Sequence, residues 1–196
     1  MLETEALIAG LDIETTGLDQ AAGHRIIEVA VIIYGATSHT ERARYSTRLN
    51  PERGIDPKAQ AVHGITYEEL VGKPTWPAIA PKLSLLLSKC HYVVAHNGLG
   101  FDLPFVWGEF LRAGVSLPEI RLTDTMLQGR WATPDGAIPN LAALCFACGV
   151  DYDKSKAHAA TYDVEVMMAC FFKQLPRGFF SLGSEPFRYT LPKEKT

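Results

Sequence analysis

The stretch ALIAGLDIETTGLD, residues 6–19, joins an apolar run to two carboxylates. Such a run is typical of a β-strand, in which side chains two positions apart point to the same face. Asp12 and Glu14 would therefore stand side by side, with Ile13 on the opposite face. Two carboxylates that close repel each other unless a cation lies between them, and Mg²⁺ is a cation that prefers oxygen ligands. Taken alone, the pair also fits a solvent-exposed strand end.

The composition is that of an ordinary globular protein. A chain of 196 residues that is 47% hydrophobic and 21% charged can form one domain with a substantial core. We assign residues 1–178 to that domain and residues 179–196 to a C-terminal tail. The formal net charge of −3 gives no general attraction for nucleic acid, but it is compatible with a nuclease whose bound metals meet the phosphates.

The N-terminus and the cysteines indicate a cytoplasmic protein. The first residues lack the basic start of a signal peptide, and the apolar run that follows is too short to span a membrane. Cys145 and Cys148 form a CxxC pair, but they lie in an apolar segment where a spacing of three is one helical turn. No second CxxC or HxxxH completes a zinc site, so we interpret them as reduced core cysteines.

The order of the predicted elements indicates the fold class. Three strands, at 6–12, 26–34 and about 40–49, come first with short connections, which favours an antiparallel meander. A short strand at 91–95 follows. Strands first, and strands alternating with helices afterwards, predict an α/β fold with a mixed sheet flanked by helices. The helices are expected at 75–87, from Asn97 to Arg112, from Asn140 to Cys148, and at 159–175.

Local signals suggest where several helices begin and end. Thr66 and Glu69 have the spacing of a capping box. Asn97 and Asn140 are each expected to cap the helix that follows, and Gly149 is expected to end the second of these helices.

A second acidic motif is HNGLGFD, residues 96–102. It places Asp102 just beyond a strand end and in the first turn of a helix. Functional side chains gather at strand ends in sheets with helical crossovers. The helix dipole also favours an acid in a first turn, so both explanations fit Asp102 by itself.

The third motif is HAATYD, residues 158–163. Residues five apart lie about 140° apart around a helix, so a joint role requires His158 in the loop and Asp163 one turn inside the helix. For this motif taken alone, an exposed histidine and a solvated acid on an amphipathic helix are the better explanation. Together, however, four carboxylates from three segments and one loop histidine form the set that a two-metal phosphoryl-transfer site needs, with ions about 3.5–4 Å apart.

The three motifs together resemble those of the DnaQ-like 3′–5′ exonucleases. They occur in the order DIETTGLD, HNGLGFD and HAATYD. The histidine in the third motif is typical of the DEDDh variant of this family. The resemblance covers residues 6–175 and implies an RNase H-like fold. The three residues between Asn97 and Phe101 resemble the TREX-type exonucleases. Other segments resemble the bacterial DNA polymerase III epsilon proofreading subunits, namely VHGIT (62–66), LTDTM (122–126) and NLAALC (140–145).

The resemblance also implies a mechanism. Two divalent ions, Mg²⁺ or Mn²⁺, would be bound. One ion would be held by Asp12, Glu14 and Asp163. Asp12 would bridge to the second ion, which Asp102 would also support. His158 would be the general base toward the attacking water, a task that suits an imidazole because it titrates near neutral pH. The products would be a 5′-mononucleotide and a strand one nucleotide shorter.

Substrate-binding residues follow from the same resemblance. Thr15, Thr16 and Leu18 would line the pocket for the terminal nucleotide. His63 and Asn97 are further candidates, although an ordinary turn residue explains His63 nearly as well.

The implied function is hydrolysis of DNA from the 3′ end, in proofreading or repair. The implied partners are single-stranded DNA or a 3′ end and a DNA polymerase, with no membrane. Two alternatives stay open. One is a 3′–5′ exoribonuclease of the same fold, similar to RNase T or oligoribonuclease, whose preference would depend on contacts to the 2′-hydroxyl. The other is a non-catalytic nucleic-acid-binding module.

Overall fold

A mixed five-stranded sheet forms the centre of the protein in a computed structural model that describes residues 5–188. The strand order is β3-β2-β1-β4-β5, in which β1, β2 and β3 are antiparallel and β4 and β5 run parallel to β1. The meander and the mixed sheet predicted from the sequence are therefore confirmed. The strands are β1 (Leu7–Thr15), β2 (Ile26–Gly35), β3 (Glu41–Arg48), β4 (Tyr92–Ala95) and β5 (Leu122–Asp124).

Helices cover both faces of the sheet. Helices α3 and α4 pack on one face, and α6 and α7 pack on the other. The predicted helices at 75–87 and 159–175 are confirmed to within two residues. The helices are α1 (Pro57–His63), α2 (Tyr67–Leu70), α3 (Trp76–Leu87), α4 (Asp102–Arg112), α5 (Thr125–Gln128), α6 (Leu141–Cys148) and α7 (Ala160–Gln174), with 3₁₀ turns at Gly129–Ala132 and Leu175–Arg177.

Most of the predicted caps are present. Thr66 and Glu69 form the reciprocal capping box at the start of α2. The Asn140 side chain accepts a hydrogen bond from the backbone N–H of Ala143 at 2.9 Å, and Gly149 ends α6 with a left-handed φ of 61°.

The prediction that Asn97 caps α4 is wrong. Helix α4 begins at Asp102, and Phe101 precedes it without a side-chain cap. Asn97 instead has a φ of 67°, and its carbonyl accepts hydrogen bonds from the N–H groups of Gly100 and Phe101. Its short polar side chain is one of the few that tolerate the left-handed conformation, so Asn97 forms a turn between β4 and the helix.

Helix α7 lies unusually close to β1. A Cβ atom built on Gly10 would lie 2.7 Å from Cγ of Met168 and 2.7 Å from Cγ1 of Val164, both on α7. Any larger residue would therefore force α7 or these side chains to shift, whereas glycine accommodates the close approach. The close contact brings the first turn of α7 over the end of β1.

The cysteines of the CxxC pair are core residues, as predicted. Cys145 and Cys148 are buried on α6, and Cys170 faces them from α7 with its Sγ 3.7 Å from Sγ of Cys145. No disulfide is formed within residues 5–188. The thiols thus pack between α6 and α7.

The segment expected to be a tail contributes to packing where it is described. Phe180 is buried and contacts Trp131 edge-on, and the carbonyl of Ser181 accepts a hydrogen bond from the Thr123 hydroxyl on β5 at 3.0 Å. Residues 189–196 of the expected tail lie outside the described residues. Within the described chain, no helix is long and apolar enough to cross a membrane.

Candidate active site

The four motif acids meet in one cavity at the carboxyl end of β1. Asp12 and Glu14 project from β1, Asp102 begins α4, and Asp163 lies in the first turn of α7. All four line a cavity of about 590 Å³, and His158 lines it as well. The structure thus brings together residues from all three sequence motifs.

Three local features position the four acids. The strand period puts Asp12 and Glu14 on the same face of β1. Asp102 is fully buried because it follows the turn that leaves β4. Asp163 reaches the end of β1 because Gly10 lets α7 lie close to that strand.

His158 lies in the loop before α7, as the five-residue spacing requires. It is exposed and has a φ of 62°, and its backbone N–H donates to Oδ2 of Asp163 at 3.0 Å. One side-chain ligand atom from each of Glu14, His158 and Asp163 lies within 4.8 Å of the other two. The imidazole is therefore close enough either to a bound water or to a bound ion to act on it.

Burial, and for Asp12 and Glu14 also the charges of neighbouring acids, disfavours the ionised forms of these carboxylates. Burial raises the pKa of Asp12 well above its usual value, and the charges of Asp102, Glu14 and Asp163 raise it further. Burial raises the pKa of Glu14 to about 9, and the charges of Asp163, Glu28 and Asp102 contribute to this rise. Burial raises the pKa of Asp102 to about 8, with a further contribution from Asp124. Burial also raises the pKa of Asp163, although its contacts with His158 oppose this.

The donor set fits a divalent cation. Oδ1 of Asp102 and Oδ1 of Asp163 are buried, and neither has a hydrogen-bond partner among residues 5–188. Buried polar atoms are normally satisfied, and a divalent cation would satisfy two unpaired carboxylate oxygens that line the same cavity as two more acids. Clustered carboxylate oxygens are the ligands that Mg²⁺ and Mn²⁺ prefer.

Three of the five predicted substrate-binding residues line the cavity. These are Thr15, the highly exposed Leu18, and His63 at the end of α1. Nδ1 of His63 accepts a hydrogen bond from the N–H of Ile65, and its buried Nε2 has no partner within the described chain.

Thr16 and Asn97, the other two expected substrate-binding residues, do not line the cavity. Thr16 is fully buried, and its hydroxyl contacts Nδ1 of His24 at 3.0 Å and accepts the N–H of Arg25 at 3.0 Å. Its side chain therefore stabilises the loop behind the pocket. Asn97 is part of the turn described above.

Several residues of this cavity were not predicted from the sequence. His24, Lys58 and His96 line it, although none was assigned a role. Nδ1 of His96 contacts the Thr125 hydroxyl at 3.1 Å. His96 belongs to the second motif, so its position in that motif could have marked it. No comparable signal exists for His24 or Lys58, which come from separate segments.

Comparisons with known proteins identify the family. A sequence model of the RNase T-type exonuclease family matches residues 9–171. DNA polymerase III subunit epsilon of Haemophilus influenzae is 35% identical over 164 residues, which cover 80% of this chain and 62% of that protein. The Escherichia coli epsilon subunit is 32% identical over 165 residues, covering 80% and 66%. The chain thus spans just under two thirds of the length of these relatives.

Two further similarities agree with this result. The 3′–5′ exonuclease DinG of Bacillus subtilis is 30% identical over 167 residues, which cover 85% of this chain and 17% of that protein. E. coli exonuclease I, solved in complex with a dT13 oligonucleotide, has a TM-score of 0.75 at 21% identity, covering 89% of this chain and 43% of that one. The structural similarity confirms the RNase H-like fold. On its motifs, its fold and these relatives, the chain belongs to the DnaQ-like 3′–5′ exonuclease family.

Proposed function

We propose that this protein is a metal-dependent exonuclease that removes single nucleotides from the 3′ end of DNA. The observation that carries the proposal is the convergence of four acids and His158 in one cavity, where two buried carboxylate oxygens have no hydrogen-bond partner in the described chain. Such a site can bind the divalent ions on which phosphodiester hydrolysis depends.

We assign the acids to two ion positions. Asp12, Glu14 and Asp163 hold one ion, and Asp102 supports a second ion to which Asp12 also binds. When bound, the ions lower the pKa of a bound water and stabilise the charge on the leaving oxygen. The strand and helix starts that carry these acids fix their directions, so little reorganisation is needed when an ion binds.

We assign to His158 the proton transfer. Its exposed imidazole lies beside Glu14 and Asp163, where it can accept the proton of the attacking water and pass it to solvent. The same exposure gives the proton a path out of the site. Loss of this proton generates the nucleophile in the position that the acids define.

The walls of the cavity suit a terminal nucleotide. A volume of about 590 Å³ lies in the range of small-molecule sites. Leu18 and Val62 provide apolar surface for a base, while Thr15 and Lys58 provide polar and positive groups. We therefore expect the 3′-terminal nucleotide to enter this cavity and the rest of the strand to remain outside.

DNA is the proposed substrate because the relatives named epsilon are subunits of a DNA polymerase, and E. coli exonuclease I was solved with a deoxythymidine oligonucleotide. The same relatives support a DNA polymerase as a partner and a role in proofreading or repair. An exoribonuclease would use identical catalytic groups, so the substrate must be tested directly.

The decisive experiment is parallel digestion of a single-stranded DNA, the matched duplex and an RNA of the same sequence. Each digestion is run with Mg²⁺, with Mn²⁺ and with excess EDTA. We expect rapid, EDTA-sensitive release of mononucleotides from single-stranded DNA and slower release from RNA. Faster digestion of RNA would favour the exoribonuclease, and binding without hydrolysis under all conditions would favour a non-catalytic module.

A further inference from the structure

Helix α7, which carries Asp163, begins without a cap of its own. The first N–H groups of a helix have no partner inside the helix and are usually satisfied by the side chain of the N-cap residue. Here that residue is Ala159, which has no side-chain acceptor. Ala160, the first helical residue, is fully buried, so solvent cannot take the place of a cap.

Glu28 on β2 supplies the missing acceptor. Its Oε2 accepts the N–H of Ala160 at 3.1 Å, although the two residues are 132 positions apart in the chain. A carboxylate at this place satisfies an otherwise unpaired donor and also interacts favourably with the positive end of the helix dipole. The helix is thus capped from the neighbouring sheet.

The carboxylate of Glu28 is itself held in direction. Its Oε1 accepts Nε of Arg48 at 3.2 Å, and the same guanidinium binds Oε1 of Glu69 at 2.6 Å. Glu69 belongs to the capping box of α2. A continuous set of hydrogen bonds therefore joins the start of α2, the end of β3, the first residues of β2 and the start of α7.

The N–H of Ala160 lies next to the loop that carries His158. Ala160 is two residues after His158, and the N–H of His158 is bound by Oδ2 of Asp163 at 3.0 Å. Glu28 and Asp163 therefore anchor the segment 158–160 at both of its ends. His158 has a φ of 62°, a conformation that a non-glycine residue keeps only when neighbouring contacts hold it there.

We propose that Glu28 is a positioning residue that caps α7 from β2 and thereby holds His158 and Asp163 in their working positions. The proposal rests on the proposed function for the roles of His158 and Asp163. Glu28 stands opposite Glu14 in the strand pairing, so it could be mistaken for a fifth ion ligand. However, each of its two oxygens already accepts a hydrogen bond, one from Ala160 and one from Arg48.

The test compares Glu28→Ala, Glu28→Gln and the control Glu165→Ala. Glutamine keeps an oxygen that can accept the N–H of Ala160, whereas alanine removes it. Glu165 also links α7 to the sheet, through an exposed ion pair with Arg44 at 2.9 Å, but it makes no bond to the helix start. The control therefore removes the same charge and a sheet contact without removing the cap.

Amide hydrogen exchange at Ala160, measured by NMR on the metal-free protein, tests the cap without reference to activity. We expect exchange about tenfold faster in Glu28→Ala and nearly unchanged in Glu28→Gln and Glu165→Ala. Unchanged exchange in Glu28→Ala would overturn the proposal. Because no substrate is involved, this result stands even if the wild-type protein proves to have no exonuclease activity, an outcome that would refute the proposed function instead.

Steady-state digestion of single-stranded DNA then tests the positioning. We expect kcat to fall about 10–100-fold in Glu28→Ala with KM within about threefold of wild type, since displacement of His158 and Asp163 lowers the rate while Glu28 itself does not line the cavity. Glu28→Gln should restore most of kcat. Equal loss in both variants would show that the charge matters rather than the cap. A large loss of Mn²⁺ affinity by calorimetry in Glu28→Gln would make Glu28 an ion ligand. Either result overturns the proposal.

Discussion

The backbone N–H of His158 donates to Oδ2 of Asp163 across a span of five residues, at 3.0 Å. On one helix these residues would point in different directions. The contact forms because His158 lies two residues before α7 and turns back through a left-handed φ of 62°. His158 and Asp163 are thus positioned relative to each other by a backbone hydrogen bond.

Asp12→Ala should abolish hydrolysis without unfolding the protein. The Asp12 carboxylate has a strongly raised pKa because it is buried beside other acids, so its removal relieves repulsion. We expect hydrolysis below detection and a higher Tm for the metal-free variant, measured by nuclease assay and thermal unfolding in EDTA. The exposed acid Glu119 provides the control, since Glu119→Ala should change neither quantity. Substantial hydrolysis by Asp12→Ala would refute its assignment as the bridging ligand.

Asp163→Ala should also abolish hydrolysis, but with a different effect on stability. This carboxylate both repels its neighbours and accepts the N–H of His158, so the two effects of its loss on the free energy of unfolding oppose each other. We expect a smaller change in Tm than for Asp12→Ala, together with faster amide exchange at His158. A rate like that of the wild type would exclude Asp163 from the site.

Metal-free protein should lose stability as the pH rises from about 5 to about 9. The pKa of Glu14 is raised from 4.5 to about 9, and that of Asp102 from 3.8 to about 8. Between these values the folded state binds more protons than the unfolded state, so the free energy of unfolding falls with rising pH. The contribution of these two carboxyl groups to the free energy of unfolding is fully present below their pKa values in the unfolded state. It is lost as the pH rises through their pKa values in the folded state.

Thermal unfolding in EDTA across this pH range measures the effect. Saturating Mn²⁺ should reduce the dependence of Tm on pH, because the bound cation offsets the repulsion. Glu14→Gln should reduce this dependence in part even without metal. A slope that is the same with and without Mn²⁺ would mean that the acids do not bind the ion.

The site could be predicted from the sequence wherever one local rule sufficed. The strand period was enough to place Asp12 beside Glu14, and the helix period was enough to require His158 in a loop. Asn97 was misplaced because the same residue type favours both N-caps and left-handed turns, and the sequence does not tell which one forms.

Contacts between distant segments could not be predicted in this way. Glu28 reaches Ala160 only because of the β1–β2 register and the close approach of α7 at Gly10, and neither is visible in a single sequence. Thr16 was expected in the pocket by its position in the first motif. It is buried because the chain turns back at Arg25, whose N–H its hydroxyl accepts.

Gly10→Ala should weaken both the fold and the activity. The new methyl group would lie 2.7 Å from side-chain atoms of Val164 and Met168, so α7 must shift or the side chains must leave their rotamers. We expect about 1–3 kcal/mol of destabilisation by urea unfolding, and a lower kcat because Asp163 moves with the helix. Gly54→Ala is the matched control, since a Cβ there meets nothing within 4 Å. Equal effects of the two substitutions would argue against the close approach.

Digestion should proceed from a free 3′-hydroxyl and release 5′-mononucleotides. A single-stranded DNA labelled at its 5′ end should give a descending ladder on a denaturing gel, because the label stays on the shortening strand. A 3′-phosphate should block the reaction. Early release of the 5′ label as a mononucleotide, with the remaining strand long, would show the opposite polarity.

His158→Ala tests the proton transfer on which the mechanism depends. If the imidazole accepts the proton of the attacking water, its loss should lower kcat by about 10²–10⁴-fold. Metal affinity by calorimetry should persist, because the four carboxylates are intact.

The same measurements distinguish the other role that the geometry of His158 permits. One ligand atom from each of Glu14, His158 and Asp163 lies within 4.8 Å of the others, so the imidazole could bind an ion directly. In that case His158→Ala would lose Mn²⁺ affinity, and higher Mn²⁺ would restore much of its rate. A general base gives the opposite result, since added metal cannot replace a proton acceptor. A variant that keeps both its rate and its metal affinity would show that His158 takes no part in the reaction.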